Sequence, residues 1–145
     1  SGEPLTLMYT PLTQFQVSGI QQDFRGANNY RPNVIGSPYG DRNSVTNYLN
    51  RETVIFPPDP SQPFGNAKRN SARAPWFWQV DFVAAKDFPI PAGNETRVQI
   101  RFEAFNLFNR TNFRAANGNR SAAAFGTITQ TYDARQLQLG IKLSF

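Results

Sequence analysis

The chain has 145 residues and a formal charge of +5, with neither histidine nor cysteine. Those two absences exclude Ser–His–Asp triads, Cys–His nucleophile pairs, zinc sites built on Cys or His, and any disulfide framework. No apolar run is long enough for a transmembrane helix, and the 15 basic residues are spread along the chain without an RNA-recognition, zinc-finger or helix-turn-helix pattern, which argues against nucleic-acid binding.

Aromatic residues are abundant, with 13 Phe, 5 Tyr and 2 Trp, yet the mean hydropathy is only -0.50. Polar and apolar residues must therefore be mixed on a fine scale, as a membrane barrel wall requires and as a search for apolar helices overlooks.

The chain opens at Ser1 without an initiator Met, and no signal peptide precedes its first strand-like segment, Pro4 to Thr10. Either a leader was removed in maturation or this is a piece of a longer chain, the reading favoured here, with residues 1–10 forming the end of a barrel strand. Residues 11–75 hold most of the prolines and many Asn, Gly and Ser, as in RPNVIGSPYGDRN and FPPDPSQPFGNAKRN. They read as one long extracellular loop, with short helical or hairpin pieces around Ser44 to Arg51 and Thr53 to Phe56. Tyr30, Arg31, Tyr39 and Tyr48 are its candidate ligand contacts, because loops carry recognition.

Three alternating runs follow. In residues 76–88, WFWQVDFVAAKDF, the residues Trp76, Trp78, Val80, Phe82 and Ala84 share an apolar face, with Gln79, Asp81 and Asp87 opposite. Lys86 interrupts that face near the strand end, where a long side chain can snorkel. In residues 97–109, RVQIRFEAFNLFN, Val98, Ile100, Phe102 and Ala104 alternate with Arg97, Gln99, Arg101 and Glu103. In residues 135–145, RQLQLGIKLSF, Leu137, Leu139, Ile141, Leu143 and Phe145 alternate with Gln136, Gln138, Gly140, Lys142 and Ser144. This period of two predicts strands with one apolar and one polar side. At about 3.3 Å per residue and a tilt near 45°, a run of about eleven residues rises roughly 25 Å, the height of an outer-membrane apolar band.

The two connections differ. Residues 89–96 form a short Pro/Gly turn, whereas residues 110–134 are long and polar, with Phe125 to Thr131 a possible extra strand. Barrels have short periplasmic turns and long outer loops, so 89–96 is assigned to the periplasm and 110–134 to the outside. The fold class expected is all-β, made of antiparallel transmembrane β-barrel strands with long extracellular loops.

The polar positions Gln79, Asp81, Arg101, Glu103, Gln138 and Lys142 are expected to form a lumen-facing network, with Asp81 near Arg101 or Glu103 and Glu103 near Lys142. Such pairs are ordinary wall contacts in a wet lumen. Asp81 and Glu103 also resemble an acid/base pair, but basic neighbours and the lack of an evident pocket argue against catalysis. No catalytic, cofactor or metal site is predicted. Trp76, Trp78, Phe82, Phe88, Phe102, Leu139, Ile141 and Leu143 are expected to face lipid or an aromatic girdle. A girdle accounts for Trp76, Phe77 and Trp78 with fewer assumptions than a sugar-stacking platform does.

Three strands cannot close a barrel, since closed bacterial barrels start at eight, and an open sheet in lipid leaves N–H and C=O groups unpaired. A small complete barrel acting as adhesin or anchor would need further strands inside residues 11–75, where the pattern does not supply them. A secreted soluble β-domain binding glycans through aromatics is the alternative from a different class.

Several phrases occur in fixed order: SGEPLTL at Ser1 to Leu7, RPN at Arg31 to Asn33, GNAKRNSARAPWFWQVD at Gly65 to Asp81, RFEAFNLFNRTNF at Arg101 to Phe113, FGTIT at Phe125 to Thr129, and the closing RQLQLGIKLSF. Together the chain resembles the C-terminal part of Oar-like TonB-dependent receptors of acidobacterial and myxobacterial outer membranes. One departure is Ala74-Pro75, where that family more often has Gly-Pro. The resemblance implies a parent barrel of about 22 strands with a plug far upstream. It implies energy delivered by the inner-membrane TonB complex through an N-terminal contact segment, and energy-coupled uptake or passage of a large solute. It further implies that the terminal strand, with Leu143 and Phe145, is the signal read by the outer-membrane assembly machinery. Siderophore, glycan, peptide and exported protein all remain open as substrates.

Overall fold

The computed structural model describes residues 2–10, 15–17, 20–22, 30–59, 64–91 and 96–145, and among them the regular structure is entirely β. The strands are β1 (Pro4–Leu5), β2 (Phe15–Val17), β3 (Ile20–Gln22), β4 (Asn33–Val34), β5 (Val54–Ile55), β6 (Ala72–Arg73), β7 (Phe82–Pro89), β8 (Arg97–Phe105) and β9 (Gln136–Ser144). Every strand pair is antiparallel: β1 with β6, β2 with β3, β4 with β5, and the three-stranded sheet β7-β8-β9. The chain divides into two compact units, one of Ser1–Trp76 with Phe113–Gln130, the other of Phe77–Asn112 with Thr131–Phe145.

The second unit holds the sheet. Its register pairs Phe82 with Ala104, Ala84 with Phe102, Lys86 with Ile100 and Phe88 with Val98. On the other side, Val98 pairs with Leu143, Ile100 with Ile141, Phe102 with Leu139 and Ala104 with Leu137. Because side chains alternate across a strand, these residues line a single face. Arg97, Gln99, Arg101, Glu103, Gln138 and Lys142 line the other with Val83, Ala85 and Asp87. β7 begins, β8 ends and β9 begins at one end of the sheet, and residues 89–96, expected as a turn, connect β7 to β8 at the opposite end. Residues 92–95 of that turn lie outside the described residues.

The strands are shorter than the alternating runs. β7 starts at Phe82, not Trp76, and β8 ends at Phe105, not Asn109. The cause is a β-bulge. The ladder that pairs Phe82 with Ala104 continues through Leu107 N–H donating to Val80 C=O at 2.8 Å, one residue out of step. The extra residue is Asn106, at a positive φ of 53°, a conformation that Asn tolerates better than most side chains.

The first unit differs from the single open loop read from its composition. Leu7, Tyr48, Leu49, Val54, Ala72, Ala116 and Phe125 form a buried cluster, with Leu5, Val34, Tyr39 and Ile128 packed against it. Residues 2–10 are not part of the three-stranded sheet. Leu5 pairs with Ala72 and Leu7 is fully buried in this cluster. Where a barrel-strand end was expected over residues 1–10, the described residues show a short strand paired with β6 and Leu7 packed in this cluster.

The piece around Val54 is the extended pairing of β4 with β5. Ser44 to Arg51 takes turns and a bridge from Leu49 to Tyr39. Phe125 to Thr131 holds no named strand, and Ile128 N–H donates to Val45 C=O at 2.7 Å. Parts of the 11–75 segment (11–14, 18–19, 23–29 and 60–63) fall outside the described residues.

Gly126 fixes how Tyr48–Leu49 meets the 113–130 segment. Its carbonyl accepts both the Tyr48 and Leu49 N–H groups, at 2.9 and 3.3 Å. It has a φ of 81°, and a Cβ there would stand 2.5 Å from the Leu49 carbonyl oxygen. Only glycine meets both conditions without strain.

Candidate functional site

The apolar face of the sheet is open. Leu137, Leu139, Ile141 and Leu143 are 58%, 71%, 72% and 55% exposed. A soluble sandwich would bury such residues against a second layer, and among the described residues they are left outside any core. Phe82, Phe88, Ile100 and Phe102 are exposed beside them; the terminal Phe145 is exposed too, and so, within the first unit, is Trp76. Trp78 is half-buried: the Arg110 guanidinium lies 4.9 Å from its ring centroid and the Phe108 ring lies tilted against it at 6.2 Å.

The polar face carries a different set of pairs from those expected. Arg101 bonds Glu103 on its own strand, with Nε donating to Oε1 at 2.7 Å. Gln99 Nε2 donates to Asp87 Oδ1 across to β7 at 2.9 Å. Glu103 stands opposite Gln138, and Lys142 stands opposite Gln99. Glu103 and Lys142 are thus separated by four strand positions, roughly 13 Å along the strand. Asp81 lies beyond the start of β7 and meets neither Arg101 nor Glu103. It accepts from Gln79 Nε2 at 3.0 Å and from the Asn106 backbone N–H at 2.9 Å. The expected lumen network therefore resolves into two groups, Arg101–Glu103 on the wall and Gln79–Asp81 at the rim.

That rim is organised by residues the alternation did not single out. Asn106 is buried; its Nδ2 donates to the carbonyls of Arg110 and Asp133, at 2.9 and 3.3 Å, and its Oδ1 accepts the Arg110 N–H at 3.0 Å. Asn109, at a φ of 50°, accepts the Arg135 N–H. Asn112 is buried and serves the Trp78 backbone on both sides, Oδ1 accepting its N–H at 3.2 Å and Nδ2 donating to its C=O at 2.9 Å. An amide side chain carries one donor group and one acceptor, as a peptide unit does. Asn112 thus substitutes for a strand partner and holds Trp78 extended outside the ladder. The signal was present in the sequence as Asn at every third position, Asn106, Asn109 and Asn112.

The loop candidates separate. Tyr48 is 1% exposed, its hydroxyl donating to the Arg73 carbonyl at 2.9 Å, so it is a core residue rather than a ligand contact. Tyr30 is also buried, 6.0 Å from the Tyr9 ring. Tyr39 is half-buried, with its hydroxyl accepting the Arg73 N–H at 2.8 Å and Arg42 4.3 Å above its ring. Arg31 is half-buried as well. Burial pushes the phenols of Tyr9, Tyr30 and Tyr48 upward, Tyr9 to about 12 with the neighbouring Tyr30 adding to the effect. Arg120, pushed downward by burial and then by Arg51, sits over the Phe56 ring at 4.9 Å and donates Nε–H to the Val54 carbonyl at 2.5 Å.

An exposed apolar face backed by a polar one, on strands of eight and nine residues, fits a wall between lipid and water. Comparison with known families decides the matter: the model of the outer membrane beta barrel domain matches residues 1–138. The chain belongs to that family. No curated protein and no solved structure matches it. As an outer-membrane β-barrel protein it resides in the envelope of a Gram-negative cell, in a lipid environment. The secreted glycan-binding alternative loses its footing, since it would require the β9 leucines to line a dry interior. The two faces of the barrel sheet and the rim of asparagines are the features on which a function can be built.

Proposed function

We propose that this chain is the C-terminal barrel portion of an Oar-like TonB-dependent receptor, mediating energy-coupled uptake or passage of a large solute across the outer membrane. The observation that carries the reading is the first unit. Segments that connect barrel strands are folded around a buried cluster of their own, more than closing a simple wall requires and suited to recognising a solute. The ordered phrases from SGEPLTL to RQLQLGIKLSF support it independently.

In this reading the face of Phe82, Phe88, Phe102, Leu139, Ile141 and Leu143 contacts lipid. Arg101, Glu103, Gln138 and Lys142 face the lumen and the plug, and Gln79 and Asp81 line its outer rim. The sheet edges at β7 and β9 are joined to further strands of a barrel of about 22, because open edges in hydrocarbon leave backbone groups unpaired. Leu143 and Phe145 present the end recognised by the assembly machinery. Upstream lie the plug and the segment that meets the TonB complex. Selectivity resides in the outer segments, where Arg31 and Tyr39 are the accessible members of the candidate set.

The test is capture of the full-length protein by the periplasmic domain of TonB. Binding that disappears when the N-terminal contact segment is deleted is expected. A full-length protein that lacks a plug and shows no TonB binding would remove the reading and leave a passive barrel.

A further inference from the structure

The apolar face of the sheet holds one charge among the described residues. Lys86 lies on β7 between Ala84 and Phe88, opposite Ile100. Its ammonium is 5.3 Å from the centroid of the Phe88 ring. The described ion pair of the sheet is Arg101 with Glu103, on the opposite face, and the nearest acid in sequence, Asp87, points to that same face and accepts from Gln99. Among the described residues, Lys86 is a cation on the exposed apolar face with no acidic side chain beside it on that face.

Beside it is a hollow of about 260 Å³ lined by Ala84, Ala85, Lys86, Phe88, Ile100 and Phe102. The small side chain of Ala84 opens the floor, and Phe88, Ile100 and Phe102 supply apolar walls. Lys86 is three positions from the strand end at Pro89, roughly 10 Å of strand. A four-carbon stem reaches from there toward the headgroup level while covering apolar surface.

We propose that Lys86 and this hollow form a binding site for an anionic glycerophospholipid of the periplasmic leaflet. The ammonium pairs with the phosphate and one acyl chain occupies the hollow. Charge complementarity names the occupant: a cation on the apolar face near the strand end, continuous with a groove of hydrocarbon character, matches a molecule that is a phosphate at one end and an alkyl chain at the other. The proposal rests on the assignment of the 89–96 turn to the periplasm. Lipid A, whose phosphates lie in the opposite leaflet, is the competing source of the same chemistry.

The experiment uses the full-length barrel in detergent micelles doped with dioleoylphosphatidylglycerol, with bound lipid counted by native mass spectrometry. Folding is verified separately by heat-modifiable gel mobility, so a barrel that does not form is distinguished from a site that does not bind. Lys86→Gln is expected to lower the lipid-bound fraction about fivefold, Lys86→Arg to retain it, and Lys68→Gln in the first unit to leave it unchanged. Ala84→Phe, which fills the hollow but keeps the charge, is expected to lower binding as well. Equal lipid retention by Lys86→Gln and the parent overturns the proposal, as does displacement of phosphatidylglycerol by an equal amount of lipid A. Should Lys86→Gln fail to fold, unchanged binding by Ala84→Phe overturns it alone.

Discussion

The carboxylate of Asp81 accepts the backbone N–H of Asn106 at 2.9 Å, just past the end of β8, where the chain carries one residue more than the segment it faces. A bulged residue loses its place in the ladder, and its N–H needs another acceptor. Asp81, the residue just before β7, supplies that acceptor. Asp81→Ala is expected to lower stability by about 1–2 kcal/mol, read as a lower temperature for loss of the compact gel band of the full-length barrel. An unchanged transition would show that the bulge stands without this contact.

Asn106 contributes both a backbone conformation and a side chain, and two substitutions separate them. Asn106→Gly accepts the φ of 53° but removes the bonds to Arg110 and Asp133. Asn106→Ala removes the same bonds and adds the strain of a left-handed alanine. Alanine is therefore expected to be the worse by about 1 kcal/mol. Equal effects in the same melting assay would mean that the backbone relaxes to another conformation.

Gly126→Ala tests the close approach in the first unit. A methyl group there meets the Leu49 carbonyl oxygen at a φ unsuited to alanine. The expected cost is about 1–3 kcal/mol. Amide exchange of Tyr48 and Leu49, whose N–H groups both donate to Gly126, should accelerate, while exchange in β7–β9 should not.

The buried phenols predict an alkaline transition. Their folded values are raised, so the folded state holds the proton more tightly than the unfolded state. The stability tied to them is fully present below the ordinary tyrosine value near 10 and declines as pH rises through the folded values, about 12 for Tyr9. Tyr9→Phe is expected to flatten this decline between roughly pH 10 and 12, and to remove one late-titrating group from the tyrosinate absorbance. A Tyr9 that ionises near 10 would contradict the burial seen here.

The sheet was legible because a period of two survives any choice of partner: Leu137 to Leu143 alternate whatever stands beside them. Strand pairing was less legible. Asp81, Glu103 and Lys142 share a pattern, but which of them meet depends on register, and a one-residue bulge at Asn106 removes Asp81 from the ladder. The rim was missed for a related reason. In sequence Phe108 falls in phase with Val98 to Ala104 and reads as a continuation of the strand, while the hydrogen bonds of Asn106 and Asn112 set the backbone path. The first unit was hidden by its composition. Leu7, Tyr48, Val54 and Phe125 are far apart in the chain and embedded in loop-like sequence, so their shared core appears only in three dimensions. The same distance explains why Tyr48, a plausible surface contact in sequence, proves to be buried.

The most direct measurement is a single-cysteine scan of residues 137–143 in the full-length barrel in liposomes, which this segment, having no cysteine of its own, leaves uncomplicated. A polarity-sensitive probe on Leu137, Leu139, Ile141 and Leu143 should report hydrocarbon and be quenched from within the bilayer. The same probe on Gln138, Gly140 and Lys142 should report water. Uniform wetting along β9, or quenching that fails to alternate, would contradict the assignment of this sheet to a membrane wall.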